Sequence, residues 1–155
     1  AAGVALGPRV VRRRDRTEPA GVGLLIVDLD HFKQLNDTYG HVIGDAALIH
    51  LADLLRSAVP HNATAARLGG DELAALIPEC TAECVEGIAE DLLARVRRTP
   101  MISGIFAIDL SVSIGTAHLP LSAAPPATGL ARLYGAADAA LYRAKVEGRD
   151  RVVVS

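Results

Sequence analysis

Three long stretches of this chain carry apolar side chains at helical spacing, and short β-prone runs lie between and around them. Such interleaving points to an α/β domain, a mixed and largely antiparallel sheet with helices packed on it. Gly44-Asp45 opens the first long helix, where Ala46, Ile49, Leu51, Leu54, Leu55 and Val59 give a broad apolar face and Pro60 imposes a stop. The second runs over 81–98, with Val85, Ile88, Ala89, Leu92, Leu93 and Val96 in helical register and Pro100 beyond its end. The third covers 129–146, carries Leu130, Leu133, Tyr134, Ala137, Leu141 and Ala144 on one stripe, and meets a breaker at Gly148. Strands are predicted at 24–27, 64–68, 73–77, 105–108, 110–116 and 151–154. Gly69-Gly70-Asp71-Glu72 joins the second and third of these as a hairpin turn. The segment after Asp30 has short helical character up to Gly40, and three prolines make 119–128 a loop.

A length of 155 residues fits one domain that can bury a core. With no Trp, two Phe and three Tyr, that core must come from Leu, Ile, Val and Ala. Charged residues make up 22% and hydrophobic residues 50%, a balance that excludes a disordered chain. No apolar stretch approaches the ~20 residues of a membrane span, so no direct membrane contact is expected. A net charge of −2 and a pI of about 6.2 argue against a general nucleic-acid binder. Cys80 and Cys84 are too few for a disulfide framework, and the N-terminus lacks the basic-then-apolar layout of a signal peptide. The expected location is therefore the cytoplasm. Residues 1–21 read as a linker or degenerate segment, and 22–155 as the folded domain. The basic run Arg12, Arg13, Arg14 and Arg16 reads as a solvated face in preference to a phosphate or acidic-lipid contact.

Few residues invite chemistry. Asp28 closes a buried strand and Asp71 sits at the hairpin tip, so the two carboxylates could meet. Held close, they would repel unless a cation lay between them, and hard oxygen donors favour Mg²⁺. Spacing alone favours two ordinary turn carboxylates. Gly69-Gly70 suits a tight turn, and equally a backbone that a ligand approaches closely. Lys145 and Arg149 flank a helix end, either favouring its dipole or clamping phosphates. Asp45 reads as a helix N-cap and Asn36 as a loop or turn residue. Cys80 and Cys84 read as structural, and the five histidines (31, 41, 50, 61 and 118) show no ligand spacing.

In chain order the motifs are Asp28-Leu29-Asp30-His31-Phe32-Lys33-Gln34-Leu35-Asn36-Asp37-Thr38-Tyr39-Gly40-His41, Gly44-Asp45, Arg67-Leu68-Gly69-Gly70-Asp71-Glu72-Leu73, Ser113-Ile114-Gly115, Ala137-Asp138-Ala139-Ala140-Leu141-Tyr142-Arg143-Ala144-Lys145 and Gly148-Arg149. This ordered set closely resembles the GGDEF family, the diguanylate cyclases, over residues 22 to 154. The resemblance implies a fold like nucleotidyl cyclases and polymerase palms: a central five-stranded sheet wrapped by helices, with an extra β-hairpin. It implies condensation of two GTP molecules to cyclic di-GMP with release of two pyrophosphates. By similarity, Asp28, the Leu29 carbonyl and Asp71 would hold Mg²⁺ or Mn²⁺. Phe32, through its backbone N–H, and Lys33 would hold the terminal phosphates, and Lys145 and Arg149 would neutralise the same triphosphate. Asn36 and Asp45 would read guanine, Asp45 by accepting from N1–H and the 2-amino group. Gly69 and Gly70 would let the nucleotide lie against the hairpin, and Glu72 would assist at the metal or base step. A product made from two substrates, one per domain, implies an antiparallel homodimer. The resemblance also implies an upstream sensory domain in the full-length protein.

The chain departs from the family pattern at three places. The signature ends in Leu73 where the family has Phe, which keeps the position apolar but removes volume. The family's Arg-x-x-Asp product-inhibition site falls on Pro60-His61-Asn62-Ala63, so no feedback through it is expected. The family's usual opening segment is reduced to Ala5-Leu6-Gly7-Pro8-Arg9. Two other functions compete with the cyclase: a catalytically silent GTP-binding or protein-interaction module of the same fold, and an enzyme acting on another nucleotide.

Overall fold

The structure is a computed structural model that describes residues 20–121 and 126–155. In chain order, β1 (Gly21–Leu29) leads into α1 (Phe32–Tyr39) and α2 (His41–Ala58), followed by the hairpin of β2 (Thr64–Gly69) and β3 (Glu72–Cys80). Next come α3 (Ala82–Arg98), the small hairpin of β4 (Met101–Ser103) and β5 (Phe106–Ile108), then β6 (Val112–Pro120), α4 (Pro126–Val146) and β7 (Arg151–Val154). Five strands form one sheet in the order β2-β3-β1-β6-β7, and β4-β5 stands apart as a two-stranded sheet. β1 runs antiparallel to both β3 and β6, β2 is antiparallel to β3, and only β7 lies parallel, beside β6. The expected mixed five-stranded sheet with an extra hairpin is therefore present.

Central position explains why β1 is apolar without a break: it is buried on both faces. Leu25, Val27 and Leu29 pack with Leu73, Ala75 and Ile77 against α2 and α3, through Leu51, Leu55, Val85 and Leu92. Leu24, Ile26 and Ala74 turn the other way, onto Leu133, Ala137 and Leu141 of α4. The two-residue period of a strand then assigns Asp28 to the α4 face. Glu72 and Ser113 are its cross-strand partners and share that face. α3 is fixed at its start by Thr81, whose hydroxyl accepts the Cys84 N–H at 3.1 Å.

Several expectations are corrected. α2 begins at His41, because Gly40 at φ 90° ends α1 and lets a new helix start at once. Asp45 is thus the fifth residue of α2 and no N-cap, and Asn36 lies within α1 and not in a loop. Ile49 is 64% exposed, since the buried stripe of α2 is Gly44, Ala47, Leu48, Leu51 and Leu55. At about 100° per residue, Ile49 stands well away from Leu51. Leu130 and Tyr134 are likewise exposed, because they line an open cleft of about 510 Å³ between α4 and the β2-β3 side of the sheet. Ile105 lies in the turn between β4 and β5, and β4 itself, three residues long, was too short to read from pattern. β1 and β3 extend beyond their predicted ends, and Gly21, assigned to the linker, already belongs to β1. β6 starts at Val112 and absorbs the first proline of the expected loop at its edge, while Pro126 starts α4, where no helical N–H is lost. Residues 122–125 of that loop, and residues 1–19 with the arginine run, lie outside the described residues.

Candidate active site

Asp28 is the last residue but one of β1 and is 5% exposed. Strand alternation turns it towards α4, where Lys145 in the final turn forms an ion pair with its Oδ2. Oδ1 is buried with no donor. The backbone N–H of Leu29 donates to the Asp71 carbonyl at 3.3 Å, which draws the hairpin tip against the end of β1. The distant acids 28 and 71 therefore do meet. Burial, the Asp71 carboxyl beside it and the resulting repulsion push Asp28 up to about 7, against the pull of Lys145. Burial would lower the Lys145 pKa, but Asp28, Asp71 and Glu72 outweigh it and the net shift is upward.

A cavity of about 490 Å³ opens at this point, and Asp28, Leu29, Phe32, Lys33, Asp71, Lys145 and Arg149 all line it. Its wall includes the N-terminus of α1, which follows His31 in a left-handed conformation (φ 59°). The first N–H groups of a helix have no partner within it, so Phe32 and Lys33 present donors and the positive end of a dipole to an anion. Carboxylates, cations and amide donors gathered on one cavity wall suit a metal-bound polyphosphate.

The remaining predicted residues sit nearby. Glu72 shares the face of Asp28, and burial raises its pKa, Asp138 and Asp71 adding to the effect and Lys145 opposing it. Asp45 lines a second cleft of about 480 Å³ between α2 and the β2-β3 hairpin, together with Leu48, Arg67 and Leu73. Asn36 stands beside that helix, its Oδ1 buried without a partner and lodged where any side chain at Gly44 would have to be. Gly69 (φ 149°) and Gly70 (φ 48°) form the tip, a backbone that only glycine adopts without strain.

Comparison with known proteins decides the family. The model of the family described as "Diguanylate cyclase, GGDEF domain" matches residues 9–151. The chain belongs to the GGDEF family. It is 37% identical over 133 residues to the uncharacterized protein YhcK of Bacillus subtilis, covering 85% of this chain and 36% of that protein. It is 32% identical over 134 residues to diguanylate cyclase A of Treponema denticola, covering 86% of this chain and 35% of the relative. The chain thus spans about a third of the length of these two relatives. Among solved structures, the GGDEF domain of YfiN (TpbB) from Pseudomonas aeruginosa superposes with a TM-score of 0.78 at 33% identity, over 88% of this chain and 83% of that one.

Within this GGDEF domain, two residues of the motifs have tasks that sequence reasoning missed. Arg67 reaches across the hairpin and donates to the Gly70 carbonyl through Nε (3.0 Å) and Nη2 (2.5 Å), which fixes the tip that carries Asp71. Asp30, two residues beyond Asp28, also lines the cavity, but its carboxylate is engaged by β6: it accepts the hydroxyls of Ser111 and Ser113, each at 2.6 Å. No spacing distinguishes Asp28 from Asp30, and only the partners on β6 do. Leu73 is buried at 5% exposure and also borders the Asp45 cleft, so the volume missing relative to Phe adjoins that cleft.

Proposed function

We propose that this chain condenses two GTP molecules into cyclic di-GMP, releasing two pyrophosphates. The observation that carries the reading is the meeting of Asp28 and Asp71 in one cavity with Lys145, Arg149 and the start of α1. The donor set fits a divalent ion: two carboxylates that repel one another, one of them with a buried oxygen that lacks any donor. That matches Mg²⁺ or Mn²⁺, which takes one or two carboxylates and completes its shell with phosphate and water. Asp28, Asp71 and the Leu29 carbonyl would hold the ion, which when bound neutralises phosphate charge and makes the 3′-hydroxyl more acidic.

The side chains divide the remaining work. Lys33, Lys145 and Arg149 balance the charge of the triphosphate, and the Phe32 N–H donates to a terminal phosphate oxygen. Asn36 and Asp45 select guanine, Asp45 by accepting from N1–H and the 2-amino group, a pair that adenine does not offer. Gly69 and Gly70 leave room for the nucleotide over the hairpin, and Glu72 assists the proton transfer. One domain holds one GTP, so turnover requires two domains facing each other. Initial rates should therefore rise more steeply than enzyme concentration, and strict proportionality down to nanomolar enzyme would refute the dimer. The rest of a longer protein, with a sensory domain and a cytoplasmic setting, belongs to the same proposal. No helix among the described residues is long and apolar enough to cross a membrane.

Incubation with GTP and Mg²⁺ tests the whole reading. Cyclic di-GMP is the expected product. Untouched GTP would favour a silent binding module, and another product would move the substrate assignment. A second test uses stability. The raised pKa of Asp28 contributes stability that is complete below its ordinary value of 3.8 and is lost as the pH rises through about 7. The ion-free protein should therefore lose melting temperature between pH 4 and 7 through this group. Added Mn²⁺ must displace that proton at low pH, so it should raise the melting temperature more at pH 8 than at pH 6. An equal shift at both values would detach Asp28 from the ion.

A further inference from the structure

Arg149 owes its place on the cavity wall to a short turn after α4, and that turn is unusual. Arg149 (φ 64°) and Asp150 (φ 48°) are consecutive non-glycine residues in the left-handed region, directly before β7. Such a backbone persists only where its surroundings hold it. Here the backbone N–H and carbonyl groups of both residues are engaged. The Arg149 N–H donates to Ala144 O at 2.9 Å, and the Arg149 carbonyl accepts from Arg151 Nε at 3.0 Å. The Asp150 N–H donates to Asp30 Oδ2 at 3.1 Å. Arg97, in the last turn of α3, donates from Nε to Asp150 Oδ1 at 3.1 Å and from Nη2 to Asp150 O at 2.9 Å.

We propose that Asp30 and Arg97 are positioning residues that hold the 148–150 turn so that Arg149 faces the cavity. Asp30 is itself anchored on β6 by Ser111 and Ser113, so the turn is tied to the sheet from one side and to α3 from the other. Arg97 is not among the residues of the cavity wall and is about half exposed, with a half-exposed partner. A pair of that kind adds little to global stability, so its removal separates positioning from folding. The inference rests on the phosphate role of Arg149 proposed above.

Arg97→Ala tests it by binding of the non-hydrolysable guanosine 5′-(β,γ-imido)triphosphate and of GMP, which has no terminal phosphates. The variant should bind the triphosphate about 3- to 10-fold more weakly. It should bind GMP as the unaltered protein does and melt within about 3 °C of it. Combined with Arg149→Ala, it should add nothing further, since a loosened turn has no arginine left to misplace. Asp30 itself lines the cavity, so a change there alters the wall directly, and Arg97 is the residue that isolates positioning. Unchanged triphosphate binding by Arg97→Ala, equal weakening of GMP, or full additivity with Arg149→Ala would each overturn the inference. If Arg149→Ala alone leaves triphosphate binding intact, the phosphate role of Arg149 falls and takes this inference with it.

Discussion

Asp71→Ala should abolish cyclic di-GMP formation, lowering kcat by roughly a thousandfold or more, the scale expected when a charge aimed at the reacting phosphate is lost. Folding should be nearly untouched. The side chain sits at a hairpin tip, and its carboxyl raises the pKa of Asp28 instead of stabilising it. Its removal relieves repulsion at a residue that is 5% exposed, so the ion-free melting temperature should hold or rise slightly. The pKa of Asp28 should also fall towards the ordinary carboxylate range, which a carboxyl-carbon NMR titration can follow. Full activity in a well-folded Asp71→Ala protein would remove the carboxylate pair from the mechanism.

Gly115→Ala is expected to damage the fold severely. An added Cβ would collide with the Ala137 carbonyl and the Leu141 N–H, and would lie 2.8 Å from Leu141 Cα. All three are backbone atoms of α4, so no rotamer change can make room. Either α4 lifts from β6 or the strand shifts, at about 3–5 kcal/mol. For a domain of this length that is roughly 10 °C or more in melting temperature. Because α4 carries Lys145 to Asp28, whatever folded protein remains should also turn over poorly. A melt close to that of the unaltered chain would mean that helix and strand do not sit this tightly together. The lattice of contacts behind this prediction also explains why Ser113-Ile114-Gly115 stands in the motif set: Ser113 braces Asp30 and Gly115 seats the helix.

The sequence by itself determined the order and type of the long elements, the hairpin with its glycine tip, and the family. Each of these follows from local chemistry: apolar period, a proline or glycine stop, and motif spacing along one strand of chain. The tertiary structure alone decided the tasks of two neighbouring acids that both line the cavity. Asp28 and Asp30 have the same local surroundings, and the outcome rests on Lys145 for one and on Ser111, Ser113 and the turn at Asp150 for the other. It also set the register of α2, where Ile49 gave way to Leu48 because packing against β1 and β3 selects the stripe with the most buried neighbours. Residues that are far apart in the chain meet only when a sheet and a helix close on each other. Their charges, pKa values and partners are properties of that closure, which no window of sequence contains.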